Sequence, residues 1–208
     1  MVRRQLVERG ISDRRVLGAF KQVPREQFVP AELRAAAYED RPLPLSEGQT
    51  ISQPYVIART LEALALDGTE VVLEVGTGSG YVAALLSLLG RVVYSVERIE
   101  SLAQAARERL ARLGYSATVL VGDGSLGWPP AAPFDGIAVA ASAPLVPSSL
   151  IDQLAPRGRL VIPVHEGETE RLVCIERTAR GDFHTEYLEE VRFVPLIGAQ
   201  GAREPAPS

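Results

Sequence analysis

Short apolar runs alternate with amphipathic segments from residue 71 to residue 164. The runs are rich in β-branched residues and predict five strands, at residues 71–75, 92–96, 118–121, 134–139 and 160–164. The segments between them predict helices at residues 81–89, 99–113 and 148–154. Because the runs lack strict alternation with polar residues, they are typical of strands buried on both faces of a parallel sheet. The pattern therefore predicts an α/β fold with a doubly wound, mostly parallel sheet.

The two flanks of this region have different patterns. The first 50 residues are interrupted by prolines and predict short helices, at residues 13–20 and 31–38, before a helix at residues 54–66. Two later runs, at residues 172–176 and 186–194, predict antiparallel strands that complete the sheet. We expect residues 199–208 to form a disordered tail.

Composition limits the possible partners. The 208 residues include 22 Lys and Arg against 26 Asp and Glu, a net charge of −4 that argues against a protein that binds nucleic acid through electrostatics. No apolar run approaches the roughly 20 residues that span a bilayer, and the arginines near the N-terminus precede no apolar signal segment. We therefore expect a cytoplasmic protein with no membrane or nucleic-acid partner.

The sequence offers little for a metal site. Cys174 is the only cysteine, so no internal disulfide can form. The two histidines, His165 and His184, have no acid or thiol at a spacing that is typical of metal ligands. We predict no metal site.

A glycine-rich segment, EVGTGSG at residues 74–80, follows the first predicted strand and opens a helix. Its glycines permit a tight turn, and the helix start offers free N–H groups. A dinucleotide fingerprint would need its third glycine where Tyr81 stands, so the NAD pattern fails. The segment resembles the S-adenosylmethionine (AdoMet) loop of Rossmann-like methyltransferases, and an acid at Glu74 suits the cationic end of that ligand. We predict cofactor contacts from Glu74, Gly76, Thr77, Gly78, Ser79 and Gly80; a ligand-free turn is the alternative.

Two acidic residues follow the next strands, at the sheet edge where α/β folds bind ligands. Glu97 ends the second strand, where its carboxylate can accept hydrogen bonds from both ribose hydroxyls. Asp123, beside Gly124, follows the third strand and can accept from the adenine amino group; its alternative is a simple turn aspartate. We predict that Glu97, Asp123 and Gly124 all contact the cofactor.

Several further segments together resemble the protein-L-isoaspartate O-methyltransferase family over about residues 3–198. They are VPRE at 23–26, FVP at 28–30, AY at 37–38, GQTISQPY at 48–55, VLEVGTGSGY at 72–81, LVIP at 160–163 and VRFVPL at 191–196. The 48–55 segment is specific to this family, whereas the glycine loop is shared by the whole superfamily. The resemblance implies methyl transfer from AdoMet to the free α-carboxylate of L-isoaspartyl residues in damaged proteins and peptides.

The resemblance also assigns residues. It implies that Ser52 is the catalytic residue and that Gln49, Thr50 and Ile51 border the cofactor. An alternative for Ser52 is the N-cap of the helix that starts near Pro54, a role compatible with the first. An α-carboxylate has a pKa of about 3.5 and is ionised near neutral pH, so the reaction needs no general base. The enzyme has to orient and desolvate that carboxylate.

Three other functions are alternatives to isoaspartyl methylation. A related methyltransferase could act on small carboxylic acids, or an AdoMet-binding module could have lost catalysis. A nucleic-acid methyltransferase is disfavoured, because the chain has no basic stripe, no Asp/Asn-Pro-Pro-Tyr/Phe motif and no Pro-Cys.

We expect one Rossmann-like methyltransferase domain over residues 1–198, acting as a monomer. Within it, residues 1–53 form a helical N-terminal cap with a substrate-loop segment. Residues 54–165 form the AdoMet-binding core, and residues 166–198 form the antiparallel C-terminal strands.

Overall fold

A computed structural model describes residues 1–204. The α-helices in this part of the chain are α1 (Arg14–Gln22), α2 (Pro54–Leu64), α3 (Tyr81–Leu86), α4 (Glu100–Leu113) and α5 (Ser148–Asp152). The strands are β1 (Leu43–Pro44), β2 (Thr50–Ile51), β3 (Val71–Val75), β4 (Val92–Glu97), β5 (Thr118–Val121), β6 (Phe134–Val139), β7 (Leu154–Glu166), β8 (Thr169–Arg177) and β9 (Phe183–Val191).

Seven of these strands form one sheet, in the order β5-β4-β3-β6-β7-β8-β9. The pairs from β5 through β7 are parallel, whereas β8 and β9 are antiparallel. The chain winds outward from β3 to β5 and then restarts on the other side of β3 with β6. The order of the strands therefore reverses between β3 and β6, and open α/β sheets bind ligands at the carboxyl ends of strands at such a point.

Adjacent residues of the central strands enter two separate cores. Val72 belongs to the core that packs against the N-terminal segment, and Leu73 belongs to the core on the opposite face. Ala138 and Ile137 of β6 divide in the same way. This division confirms the prediction of strands buried on both faces and explains why their sequences do not alternate with polar residues.

The N-terminal cap is held to the sheet by aromatic packing. Phe20 and Phe28 contact Tyr81 with ring centroids 6.1 and 5.4 Å away, both edge to face. Asp13 caps α1 by accepting hydrogen bonds from the backbone N–H groups of Arg15 and Val16. Tyr81 is the first residue of α3, so the cap packs directly against the helix that follows the glycine loop.

Most predicted elements are present, with changed boundaries at several of them. Residues 31–38, predicted as a helix, contain only a 3-10 turn at Ala31–Ala36. Strand β7 begins at Leu154, well before the predicted residue 160, and the short β1–β2 ladder lies in a region predicted as loop. The predicted disordered tail also differs, because Ala199 donates a backbone hydrogen bond to Asp123. Residues 205–208 of that tail lie outside the described residues.

No helix within residues 1–204 is long and apolar enough to cross a membrane.

Candidate active site

A cleft of about 750 Å³ opens at the carboxyl ends of β3, β4 and β6, beside the point where the strand order reverses. Eleven of the thirteen residues predicted to contact cofactor or substrate line it: Gln49, Thr50, Ile51, Ser52, Glu74, Gly76, Thr77, Gly78, Ser79, Glu97 and Gly124. Gly80 and Asp123 do not line it.

Glu74 at the end of β3 is buried, and only one of its two carboxylate oxygens has a hydrogen-bond partner among the described residues. Its Oε2 accepts a hydrogen bond from the Ser95 hydroxyl at 2.5 Å, and its Oε1 has no partner among the described residues. Burial raises the pKa of Glu74 to about 8, against a smaller opposing effect of the Ser95 hydrogen bond. A buried acceptor without a partner is costly, so this oxygen fits a ligand that brings a cationic donor, such as the ammonium group of AdoMet.

Glu97 at the end of β4 is held by two backbone donors. Its Oε2 accepts from the Gly78 N–H at 2.9 Å, and its Oε1 accepts from the Ile99 N–H at 3.0 Å. Each carboxylate oxygen still has a free lone pair, so the group can also accept from ligand hydroxyls. The same carboxylate therefore fixes the glycine loop and faces the cleft.

Gly80 ends the glycine loop with a φ of +84°, a backbone conformation that favours glycine. A Cβ there would make ordinary van der Waals contact with the Ala106 side chain at 3.4 Å, so the backbone conformation and not the space is what requires glycine. The predicted contact of Gly80 with the cofactor stays a prediction.

Asp123 directly precedes Gly124 of the cleft lining, and its predicted contact with the adenine amino group stays a prediction. Its Oδ1 accepts from the backbone N–H and the hydroxyl of Ser125, at 2.9 and 2.6 Å, as in the turn role left open by the sequence. Its Oδ2 accepts from the Ala199 N–H at 2.7 Å. Asp123 thus anchors residue 199, and because its Oδ2 accepts only one hydrogen bond, it can also accept one from a ligand.

The anchored segment, residues 194–202, crosses the cofactor cleft, and we call it the C-terminal strap. It is fastened at one end by paired backbone bonds: Ser142 N–H donates to Val194 at 2.8 Å, and Leu196 N–H donates to Ser142 at 2.7 Å. Further along the strap, the N–H of Ala199 donates a hydrogen bond to Asp123. The strap closes one side of the cleft with apolar side chains, which favours exclusion of water.

The sequence did not identify all of the lining. The residues it missed are Ile57, Val75, Tyr81, Val82, Val96, Arg98, Ala140, Ala141, Val194, Pro195, Leu196 and Ile197. Ala140 and Ala141 directly follow β6 and are found by the rule that ligands lie at strand ends. The strap has no such signal, since it returns to the site from beyond β9.

A second cleft, of about 1,220 Å³, lies on the other side of Ser52. Its lining residues are Pro42, Thr50, Ser52, Gln53, Val56, Glu168, Thr169, Glu170, Glu190, Val191, Arg192 and Phe193. Thr50 and Ser52 line both clefts, so the 50–52 segment separates one from the other. The second cleft was not predicted.

Ser52 is available to a ligand. The N-cap of α2 is Gln53, so the alternative role of Ser52 as that cap is wrong. The Ser52 carbonyl accepts a hydrogen bond from Arg25 at 2.8 Å, whereas its half-buried hydroxyl has no protein partner within residues 1–204. The hydroxyl can therefore donate to a group that enters from either cleft.

The described residues contain no group of three or more His, Cys, Asp and Glu arranged to hold a metal ion.

Comparisons with known proteins agree with this geometry. The family model for protein-L-isoaspartate(D-aspartate) O-methyltransferase matches residues 1–201. A protein-L-isoaspartate O-methyltransferase 2 from Marinobacter nauticus is 57% identical over 203 residues, which cover 97% of this chain and 93% of the relative. A solved protein-L-isoaspartate O-methyltransferase superimposes with a TM-score of 0.84 at 30% identity, covering 97% of this chain and 67% of that one.

A second solved structure, from Plasmodium falciparum, is described as a protein-L-isoaspartate O-methyltransferase in complex with S-adenosyl-L-homocysteine. It has a TM-score of 0.82 at 28% identity and covers 94% of this chain and 96% of its own. The family match over nearly the whole chain and the high identity to its members lead to one conclusion. This chain belongs to the protein-L-isoaspartate(D-aspartate) O-methyltransferase family.

Proposed function

We propose that this protein transfers a methyl group from AdoMet to the free α-carboxylate of L-isoaspartyl residues in damaged proteins and peptides. The observation that carries this proposal is the position of Ser52, which lines both the cleft beside the glycine loop and a second, larger cleft. Membership in the family supports the reaction and the cofactor.

The cofactor cleft has the donors and acceptors that AdoMet requires. When bound, AdoMet supplies a methyl group made electrophilic by a neighbouring sulfonium. We assign the unpartnered oxygen of Glu74 to the ligand ammonium, and the carboxylate of Glu97 to the ribose hydroxyls. The backbone of the glycine loop and of residues 49–51 borders the rest.

The acceptor is already a nucleophile at neutral pH, since an α-carboxylate has a pKa of about 3.5. The remaining task is to align it with the methyl group and to remove its water. Ser52 can donate one hydrogen bond to one carboxylate oxygen and leave the other free to attack. Because the carboxylate is already ionised, the reaction needs no histidine as a base, and neither His165 nor His184 lies in the lining of the two clefts.

The shape of the second cleft favours a polypeptide acceptor over a small carboxylic acid. It is larger than the cofactor cleft, and residues of β8 and β9 contribute to its lining. Its lining carries three carboxylates and one guanidinium, those of Glu168, Glu170, Glu190 and Arg192. The net negative charge disfavours a small free anion, whereas an extended peptide can place one carboxylate at Ser52.

Methylation changes what the isoaspartyl residue can do next. The methyl ester has a better leaving group than the carboxylate, so the following backbone nitrogen can attack it, form a succinimide and release methanol. Hydrolysis of the succinimide gives normal aspartate in part. The enzyme thus contributes only the ester-forming step to repair, and the peptide itself undergoes succinimide formation and hydrolysis without it.

We also propose that the protein works as a monomer in the cytoplasm, without nucleic-acid or membrane partners. Both clefts are lined by one chain, which supports activity without a second subunit. The net charge of −4 disfavours binding to polyanions. Sedimentation of the active enzyme at assay concentration tests the monomer.

A product analysis tests the proposed function. The enzyme, AdoMet and a synthetic L-isoaspartyl peptide should yield the peptide methyl ester, then the succinimide and some L-aspartyl peptide, separated by chromatography and identified by mass. Ser52→Ala is the matched control, because it removes one hydroxyl from the cleft junction. Absence of the ester with wild-type enzyme that still binds S-adenosyl-L-homocysteine would contradict the proposal.

A further inference from the structure

Arg25 is a fully buried cation with no acidic partner. Its exposed fraction is 0%, and its hydrogen-bond partners within the described residues are backbone carbonyls. Burial lowers the pKa of Arg25 to about 10, so it still carries its charge at neutral pH. An unpaired buried charge lowers stability, and its Nη1 has no partner within the described chain.

The guanidinium of Arg25 joins three parts of the molecule. Its Nε donates to the Ala37 carbonyl at 2.8 Å, in the N-terminal cap. Its Nη2 donates to the Ser52 carbonyl at 2.8 Å, at the junction of the two clefts. Its Cζ lies 5.0 Å from the centre of the Tyr81 ring, at the start of α3. The planar guanidinium thus holds the cap, Ser52 and the helix after the glycine loop at fixed distances.

Ser52 depends on this contact for its backbone position. It lies in the short connection between β2 and α2, where Ile51 is buried and Gln53 is tied to the Asp40 carbonyl at 3.1 Å. The hydrogen bond from Arg25 holds the carbonyl of Ser52 itself. Fixing that carbonyl limits the backbone rotation that sets where the Ser52 hydroxyl points.

We propose that Arg25 is a positioning residue for methyl transfer, which holds Ser52 through its carbonyl so that the hydroxyl meets the acceptor carboxylate. This proposal rests on the proposed function. Arg25 does not line either cleft, so it acts through Ser52 and not on the substrate. Loss of this alignment should lower kcat roughly ten- to a hundredfold, with little change in cofactor affinity.

Two variants separate positioning from stability. Arg25→Met keeps much of the volume and removes the buried charge, but it leaves the Ala37 and Ser52 carbonyls without this donor, so the protein should stay folded at the assay temperature with a lower melting temperature, while the kcat of the folded enzyme falls. Arg25→Lys keeps the charge but has no planar fork to reach two carbonyls, so it should also lose kcat. If the methionine variant does not fold, the lysine variant takes its place in the experiment below.

The test is a double-mutant cycle of Arg25→Met and Ser52→Ala, with kcat and KM for an isoaspartyl peptide and the Kd of S-adenosyl-L-homocysteine. Ser52→Ala keeps the carbonyl that Arg25 binds and removes only the hydroxyl. We expect Arg25→Met to lower kcat in the wild-type background and to change it less than about twofold in the Ser52→Ala background. The Kd should change less than about twofold throughout.

Equal fold losses in both backgrounds, or an unchanged kcat for Arg25→Met, would overturn the positioning role. Wild-type enzyme inactive on the isoaspartyl peptide would instead refute the proposed function, so the two failures are distinct. Active wild type with multiplicative losses refutes only the role of Arg25.

Discussion

Binding of the cofactor product should release a proton, and Glu74 is its predicted source. The pKa of Glu74 is raised to about 8 by burial. About 90% of ligand-free molecules therefore carry this proton at pH 7. An ammonium beside the unpartnered Oε1 favours the ionised carboxylate and lowers its pKa. Binding of S-adenosyl-L-homocysteine should then expel about 0.9 proton from this site.

Calorimetric titration at pH 7 in two buffers with different ionisation enthalpies measures this number directly. Glu74→Gln is the matched control, since it keeps the size of the side chain and cannot titrate. The amine of the ligand titrates in both proteins, so the difference between them isolates Glu74. An equal proton release by wild type and variant would refute the assignment of Glu74 to the ligand ammonium.

The same pKa predicts a pH-dependent stability. The carboxyl of Glu74 has its usual pKa of 4.5 when unfolded and about 8 when folded, so the native state holds more protons between these values and loses stability as pH rises. From pH 6 to pH 8 the loss is about 2 kcal/mol. In ligand-free protein, the free energy of unfolding of Glu74→Gln relative to wild type should therefore rise by about 2 kcal/mol from pH 6 to pH 8, as measured by urea unfolding at each pH. An equal difference at both pH values would contradict the raised pKa.

Three further substitutions probe the site. Ser52→Ala should lower kcat about tenfold or more by loss of one hydrogen bond to a charged group, and leave the Kd of S-adenosyl-L-homocysteine unchanged. Wild-type turnover in this variant would contradict the role of Ser52. Glu97→Ala should weaken that ligand by roughly tenfold to a hundredfold, measured by calorimetry; an unchanged Kd would exclude ribose contacts. Gly198→Ala would place a Cβ 2.0 Å from Asp123 Oδ1, so it should displace the strap and speed ligand dissociation in stopped-flow measurements. An unchanged rate would show that the strap does not retain the ligand.

The central sheet and the cofactor loop could be predicted from the sequence because their signals are local. Residues such as Val72 and Leu73 are apolar in succession since each faces a different core. The glycine loop and Glu97 occupy strand ends, and the positions of strand ends follow from the apolar runs themselves.

The features that were missed depend on contacts between distant segments. The bond from Arg25 to Ser52 spans 27 positions, and that from Ala199 to Asp123 spans 76. No periodicity or spacing in the chain encodes either contact. Asp123 shows the consequence: its place after a strand predicts a ligand contact but gives no sign of the hydrogen bond that it accepts from Ala199 of the strap.

The measurement that tests the central claim most directly compares two peptides of identical composition. One carries L-isoaspartate and the other L-aspartate at the same position, and methyl-ester formation from labelled AdoMet is followed on both. The account predicts strong transfer to the isoaspartyl peptide and almost none to its partner. Equal transfer to both peptides, or transfer to neither by protein that binds the cofactor, would contradict it.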